Sequence, residues 1–114
     1  MPVARKDADP QAEHCLELCQ ALHDACLHTV HESLKRGGAY ASARHINLLL
    51  DCATITHTTR DLLLRHSELH EVAAEACAVI CLACAKTCAH AADDELAFLC
   101  RRCAKACQPT RPTS

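Results

Sequence analysis

Cysteine is the residue type in this sequence with the most capacity for chemistry. Eleven cysteines stand among 114 residues, and most recur at spacings of three or four, which place side chains on one face of an α-helix. Two thiolates one turn apart can turn toward one metal ion, and a chain of such pairs lets one sulfur bridge two ions. We therefore predict eleven metal ligands: Cys15, Cys19, Cys26, Cys52, Cys77, Cys81, Cys84, Cys88, Cys100, Cys103 and Cys107.

The predicted metal is Cu(I), bound as several ions. Cu(I) is soft and monovalent, and two or three thiolate or imidazole ligands satisfy it. Each Cu(I) replaces one thiol proton, so that filling a buried core with copper barely changes its charge. This balance matters because an uncompensated charge in a protein interior is very costly.

Three of the nine histidines are candidate ligands at one end of the predicted structure. His45 lies on the same stripe as Cys52, while His31 and His90 are expected at the same end by their position along the helices. Imidazole is a weaker, neutral ligand that can pass Cu(I) on to thiolates. We therefore expect copper to come in at this end, and the other histidines to face solvent.

Composition excludes several functional classes. The net charge is -2, and one Phe, one Tyr and no Trp leave neither a basic nucleic-acid surface nor a stacking platform. We find no secretion signal, no twin arginines and no run of 18 apolar residues, so we predict a cytoplasmic protein without membrane contact, with its thiols reduced. No nucleophile and base stand in a supporting context, so no enzymatic activity is expected.

Helical sequence surrounds the cysteines. Asp9 followed by Pro10 is typical of a helix start, and Gly37 is expected to end that helix after about Arg36. The other predicted helices are 40–65, 68–92 with Ser67 as N-cap, and 95–108 with Asp93 or Asp94 as N-cap. Short connections imply antiparallel neighbours. The predicted fold is thus an all-α, antiparallel up-down-up-down four-helix bundle with a cysteine-lined core over 10–108, a flexible N-terminus 1–9 and a disordered tail 109–114.

Counting residues back from each connection sorts the candidate ligands into layers along the bundle. We expect an end layer of Val30, His31, His45, Cys88 and Cys100; a middle layer of Cys26, Cys52, Cys84 and Cys103; and a lower layer of Cys15, Cys19, Cys77, Cys81 and Cys107.

Three other interpretations remain open. Two C-x2-C pairs, Cys81/Cys84 and Cys100/Cys103, are separated by 15 residues as in a zinc ribbon, so Zn is the second candidate metal. Zinc needs four ligands, however, and the remaining cysteines would be unexplained. Cys100-x2-Cys103-x3-Cys107 also has a faint likeness to a ferredoxin run. Finally, cysteine can simply pack as a small apolar side chain, although eleven in register do not favour this.

Four stretches carry a resemblance to a known family: His14-Cys15-Leu16-Glu17-Leu18-Cys19, Cys52-Ala53-Thr54-Ile55, Cys77-x3-Cys81-x2-Cys84-x3-Cys88, and Cys100-x2-Cys103-x3-Cys107. Over about residues 12–108 the sequence resembles the bacterial copper storage proteins, and without a twin-arginine leader it is similar to their cytosolic branch. The resemblance implies a four-helix bundle that holds Cu(I), stores or buffers it and associates as a tetramer, with a copper chaperone as a candidate partner. The sequence departs at Thr56, where the family tends to place a second cysteine, so we expect a lower copper capacity.

Overall fold

Four α-helices make up most of the described chain. The computed structural model describes residues 9–108, and within that range it contains no β-strand. The helices are α1 (Pro10–Arg36), α2 (Ala43–Leu64), α3 (His70–His90) and α4 (Asp94–Cys107), with a short 3-10 helix, Gly38–Ala41, before α2. The all-α prediction is confirmed. The predicted flexible N-terminus and disordered tail lie outside the described residues, except for Asp9.

The start and end of α1 follow the predicted signals. The Asp9 carboxylate accepts a hydrogen bond from the backbone N–H of Gln11 at 3.0 Å, and Pro10 occupies the first helical position. Gly37 then ends the helix with a φ of 72°, a left-handed conformation that glycine adopts without steric cost. α1 therefore has the bounds that its capping residues predict.

The second and third helices are shorter than predicted. α2 begins at Ala43 rather than Tyr40, because the Ser42 hydroxyl accepts a hydrogen bond from the backbone N–H of His45 at 3.3 Å and caps the helix there. α3 begins at His70 rather than Glu68. Both differences lie within a single helical turn and leave the cysteine-bearing faces unchanged.

A tight turn joins α3 to α4. Ala92 has a φ of 59°, and the backbone N–H of Asp93 donates to the carbonyl of Cys88 at 2.8 Å, which is the bonding pattern of a Schellman helix end. The Asp93 carboxylate then accepts from the N–H of Leu96 at 3.1 Å and starts α4. One helix thus ends and the next begins within four residues, so their relative register is tightly specified.

The helices pack in sequential order, with α4 returning against α1. The interior between them holds cysteine, alanine and leucine, with Leu22 and Leu49 as its largest fully buried apolar side chains. Such short side chains leave the thiols as the main content of the core. Sequential antiparallel packing confirms the predicted bundle, and it places the start of α1 and the end of α4 together at what we call the lower end.

α3 is the one helix among the described residues that is long and apolar enough, by length and composition alone, to cross a membrane. Its mean hydropathy over an 18-residue window is 1.7, and cysteine and alanine contribute much of it. All four of its cysteines are fully buried in the bundle. The buried cysteines account for part of the apolar character of α3, while Val72 and Val79 on the same helix stay exposed.

Candidate metal centre

All eleven cysteines are free thiols with their side chains in the core. Nine have no exposed surface, while Cys15 is 4% and Cys107 is 3% exposed. α1 contributes three cysteines, α2 one, α3 four and α4 three. The helix-face prediction is therefore confirmed for every cysteine: each occupies a position where leucine would stand in an ordinary bundle.

Five thiols form a lower cluster, at the end where α1 begins and α4 ends. The sulfurs of Cys19, Cys77, Cys103 and Cys107 all lie within 4.8 Å of one another. Cys107 lies 3.8 Å from both Cys19 and Cys77. The Cys15 sulfur adds a fifth at 2.8 Å from that of Cys107. This cluster joins three helices and provides sulfur ligands from several directions around a central point.

Five further thiols form an upper cluster, toward the α1–α2 and α3–α4 connections. It consists of two three-sulfur groups, each with sulfurs within 4.8 Å of one another: Cys26, Cys52 and Cys84, and Cys84, Cys88 and Cys100. Cys84 belongs to both groups. Its sulfur is thus placed to bridge ions held on either side of it.

Cys81 connects the two clusters. Its sulfur lies 3.8 Å from that of Cys77 in the lower cluster and 3.8 Å from that of Cys52 in the upper cluster. The eleven thiols consequently form one continuous array along the core, in which neighbouring sulfurs are in contact. A soft ion bound anywhere in the array has a further thiol within reach.

The predicted layers are largely confirmed, but the place of Cys103 is wrong. Cys103 was expected opposite Cys84 in the middle layer, whereas its sulfur belongs to the lower cluster. The tight turn at Ala92 shifts α4 by one helical turn relative to the expected register. It pairs Cys84 with Cys100, and it pairs Cys81 rather than Cys84 with Cys103.

Helix α2 contributes few metal ligands to the core. Its core stripe carries Cys52, followed by Thr56 and Thr59, which are both fully buried. The Thr56 hydroxyl donates to the carbonyl of Cys52 at 2.8 Å, and that of Thr59 donates to the carbonyl of Ala73 at 3.2 Å. Because both hydroxyls are committed to backbone carbonyls, α2 offers the array a single soft ligand.

Replacing Thr56 with cysteine should increase the Cu(I) capacity by about one ion, because the new thiol would stand one turn from Cys52 on the buried stripe. Thr56→Val, which has the same shape but no ligand atom, should leave the capacity at the wild-type value. Anaerobic Cu(I) titration of the two variants measures the difference. Equal Cu(I) capacities of the two variants would mean that the core face of α2 at position 56 is too far from the bound metal to supply a ligand.

The three candidate histidines do not converge on the thiols. His45 is 3% exposed, and its Nδ1 lies 3.0 Å from the Thr87 hydroxyl, which itself donates to the carbonyl of Cys84. Since that hydroxyl proton is already used, His45 Nδ1 is the donor and Nε2 keeps the lone pair that could bind metal. The side chain of His31 is 69% exposed, and His90 is also exposed. No histidine in residues 9–108 belongs to a close ligand group.

The thiols differ in how easily they lose a proton. The pKa of Cys77 is lowered, chiefly by a hydrogen bond with Cys103 and next by one with Cys107. The pKa of Cys84 is lowered in the same way, chiefly by Cys100 and next by Cys26. A thiolate that accepts several S–H donors is stabilised even in a buried site. In the lower cluster the pKa of Cys15 is also lowered, to about 4, chiefly by a hydrogen bond with Cys107 and next by one with Cys19. Both clusters therefore contain thiols that lose a proton more readily than an ordinary cysteine.

Together, the fold and the array define a class of protein: a four-helix bundle whose core is lined with thiols able to hold soft metal ions. The family model for copper storage proteins matches residues 8–112, nearly the whole chain. The chain belongs to the copper storage protein family, as its resemblance indicated.

Two solved structures are similar to this chain over most of its length. The Nmul_A1745 protein from Nitrosospira multiformis is 31% identical, with 89% of this chain and 94% of that chain covered and a TM-score of 0.85. The Cu(I)-bound copper storage protein BsCsp3 is 27% identical, with 85% of this chain and 94% of that chain covered and a TM-score of 0.78. No curated protein sequence matches this chain significantly.

Proposed function

We propose that this protein stores or buffers Cu(I) in the cytoplasm through the thiol array, with all eleven cysteines as ligands. The observation that carries the proposal is the continuity of the array: every thiol is buried, and contacts link both clusters through Cys81. A single metal site needs about four ligands, whereas this core holds far more. Family membership and the Cu(I)-bound relative support copper as the cargo.

We propose that the histidines contribute less to copper binding than the cysteines do. His45 Nε2 is proposed as a ligand at the upper end, since the imidazole is buried and is linked through the Thr87 hydroxyl to the backbone carbonyl of Cys84. His31 and His90 reach only the surface of that end, so their proposed role is transient binding. No group of residues is assigned a catalytic role, and a copper chaperone is proposed among the donors or acceptors.

Assembly into homo-oligomers, a tetramer by family resemblance, is also proposed. It is supported by large apolar side chains that α3 leaves on the surface: Val72 is 65% exposed and Val79 is 68% exposed. Exposed apolar side chains of this size are common at subunit interfaces.

Anaerobic titration with Cu(I) against a chromophoric competitor tests the storage function. With every sulfur bridging two ions the capacity would reach about 11 Cu(I) per chain, and without bridging about 5, so we expect a value between these. Elemental analysis of the isolated complex checks the count. Binding of one tight ion and no more would contradict storage and favour a conventional metal site.

Zinc is a second candidate cargo at one place in the array. Zn–S bonds of about 2.3 Å give a tetrahedral site sulfur separations of roughly 3.8 Å. In the four-sulfur group of Cys19, Cys77, Cys103 and Cys107, three sulfur separations are 3.8–3.9 Å and all lie within 4.8 Å. The ribbon ligands suggested by the spacing are instead divided between the clusters. A parallel Zn(II) titration should therefore saturate near one ion per chain, and Cu(I) should displace it.

A further inference from the structure

A pocket of about 510 Å³ opens at the lower end of the bundle, over the seam between α1 and α4. Arg102 and Lys105, one turn apart on α4, both line it, and its lining among the described residues includes no acidic side chain. The Arg102 guanidinium lies 5.9 Å from the centre of the Phe98 ring, which also lines the pocket. The pocket thus presents two permanent cations, and its volume suits a small organic molecule.

This pocket lies beside the one place where the thiol array approaches the surface. Gln11 and Ala106 in its lining stand near Cys15 and Cys107 on their respective helices, and the Gln11 side-chain N–H donates to the carbonyl of Ala106 at 2.6 Å. Cys15 and Cys107 are the two cysteines with any exposure, and their sulfurs are 2.8 Å apart. The remaining cysteines have none.

The pocket at the upper end differs from the lower one in the charge of its lining and in the burial of the nearest thiols. The upper pocket, of about 260 Å³, is lined by Glu32 and Asp93 together with one cation, Arg36, so carboxylates outnumber permanent cations there. The thiols of the upper group nearest that connection, Cys88 and Cys100, are fully buried. Of the two pockets, only the lower one combines a lining without carboxylates, among the described residues, with neighbouring cysteines that keep some exposed surface.

We propose, given the Cu(I) storage inferred above, that the lower pocket binds the carboxylates of a low-molecular-weight thiol carrying Cu(I), and that Cys15 and Cys107 receive the ion. A Cu(I) ion held by two thiolates has a net charge of -1, and carboxylates on the carrier add to it. Arginine pairs with carboxylates through two parallel hydrogen bonds, and lysine adds a point charge. Both cations stand on the helix that also carries Cys107.

Transfer is a ligand exchange without change of oxidation state. The Cys15 and Cys107 sulfurs each form a bond to Cu(I), and the two bonds from Cu(I) to the carrier sulfurs break. The two protein thiol protons go to the two departing carrier thiolates, which leave as neutral thiols. From Cys107 the ion has the sulfurs of Cys19 and Cys77 at 3.8 Å for its next step.

The test compares the initial rate of Cu(I) uptake by the full-length protein from two carriers: Cu(I)–glutathione, which has carboxylates, and Cu(I)–cysteamine, which has none. The variant Arg102→Gln/Lys105→Gln should take up copper from glutathione about fivefold more slowly at low ionic strength, because charges at a binding rim act mainly on the association rate. Its rate from cysteamine and its final capacity should match wild type. S-methylglutathione, which keeps the carboxylates but lacks a free thiol, should inhibit uptake from glutathione in the wild type.

The matched control is Lys35→Gln/Arg44→Gln, which removes the same charge from exposed residues at the upper end and should keep the wild-type rate. An unchanged rate from glutathione in the pocket variant, or equal slowing with both carriers, would overturn the proposed carrier site. Slower uptake in a His31→Ala/His90→Ala variant than in the pocket variant would also overturn it, because copper would then enter at the upper end. The final Cu(I) capacity is measured separately from the uptake rate. A protein that does not store copper would show a low capacity, whereas a wrong carrier site would show only in the rates.

Discussion

Replacing Cys84 with serine should lower the Cu(I) capacity by about two ions per chain. Cys84 is shared by both three-sulfur groups of the upper cluster, and its sulfur lies 4.0 Å from that of Cys88. Serine has a similar size, so the fold should be kept, but its hard oxygen is a poor ligand for Cu(I). Both groups would then lose a ligand from a single substitution. Anaerobic titration with elemental analysis measures the loss.

Cys15→Ser is the matched control for this experiment. Cys15 stands at the lower end, where its sulfur contacts those of Cys107 and Cys19. Its replacement should cost about one ion or less, because the four-sulfur group beside it remains complete. Equal, small losses in the two variants would mean that the sites are independent helix-local pairs and that sulfurs do not bridge along the core.

The metal-free protein should stay helical, and Cu(I) should then raise its melting temperature strongly. Neutral thiols pack as small apolar side chains, and no buried side-chain nitrogen or oxygen in the described part of the chain lacks a hydrogen-bond partner. Folding therefore does not require metal. A ligand present at a thousandfold its dissociation constant stabilises the folded state by about 4 kcal/mol per site. For a chain of this size, one filled site should thus raise the midpoint by roughly 15 °C.

Far-UV circular dichroism of the chelated and Cu(I)-loaded forms, with thermal melts of each, measures both effects. Zn(II)-loaded protein provides the comparison, since a structural zinc protein folds only with its metal. Loss of most of the helical signal on chelation would contradict a preformed array. It would favour a metal-dependent fold in which the ions hold the helices together.

The bundle could be predicted from local signals in the sequence. Asp9, Pro10 and Gly37 have well-understood roles at helix ends, and the structure uses each of them as expected. The face of each helix also followed from the cysteine spacing, because side chains three and four residues apart share a face whatever the tertiary structure. These features depend on the nearest few residues alone.

The register between helices could not be predicted in the same way. It depends on how the chain turns at Ala92, and a non-glycine residue with a φ of 59° carries no clear sequence signal. Counting residues through that turn misplaced Cys103 by one helical turn. Cys52 and Cys81, expected in the middle and the lower layer, have their sulfurs 3.8 Å apart and join the two clusters.

The histidines show a second limit of sequence reasoning. His31, His45 and His90 do occur toward the same end, but whether a side chain points inward depends on the rotation of its helix against its neighbours. His45 is held inward by its hydrogen bond to Thr87, whereas His31 faces solvent. The pocket beside Arg102 and Lys105 could likewise not be predicted from the sequence, because it forms only when α4 packs against α1.

The turn at Ala92 determines which cysteines of α3 and α4 face each other, and thereby how much metal the bundle can hold. The pairs Cys84/Cys100, Cys81/Cys103 and Cys77/Cys107 are all symmetric about this residue. One residue inserted or deleted there would rotate α4 by about 100° and carry its cysteine face away from the other helices. A change of length at the α1–α2 connection would displace a single thiol, Cys52, rather than the three that α4 carries. The metal capacity of this bundle should therefore be more sensitive to chain length at the α3–α4 connection than at the α1–α2 connection.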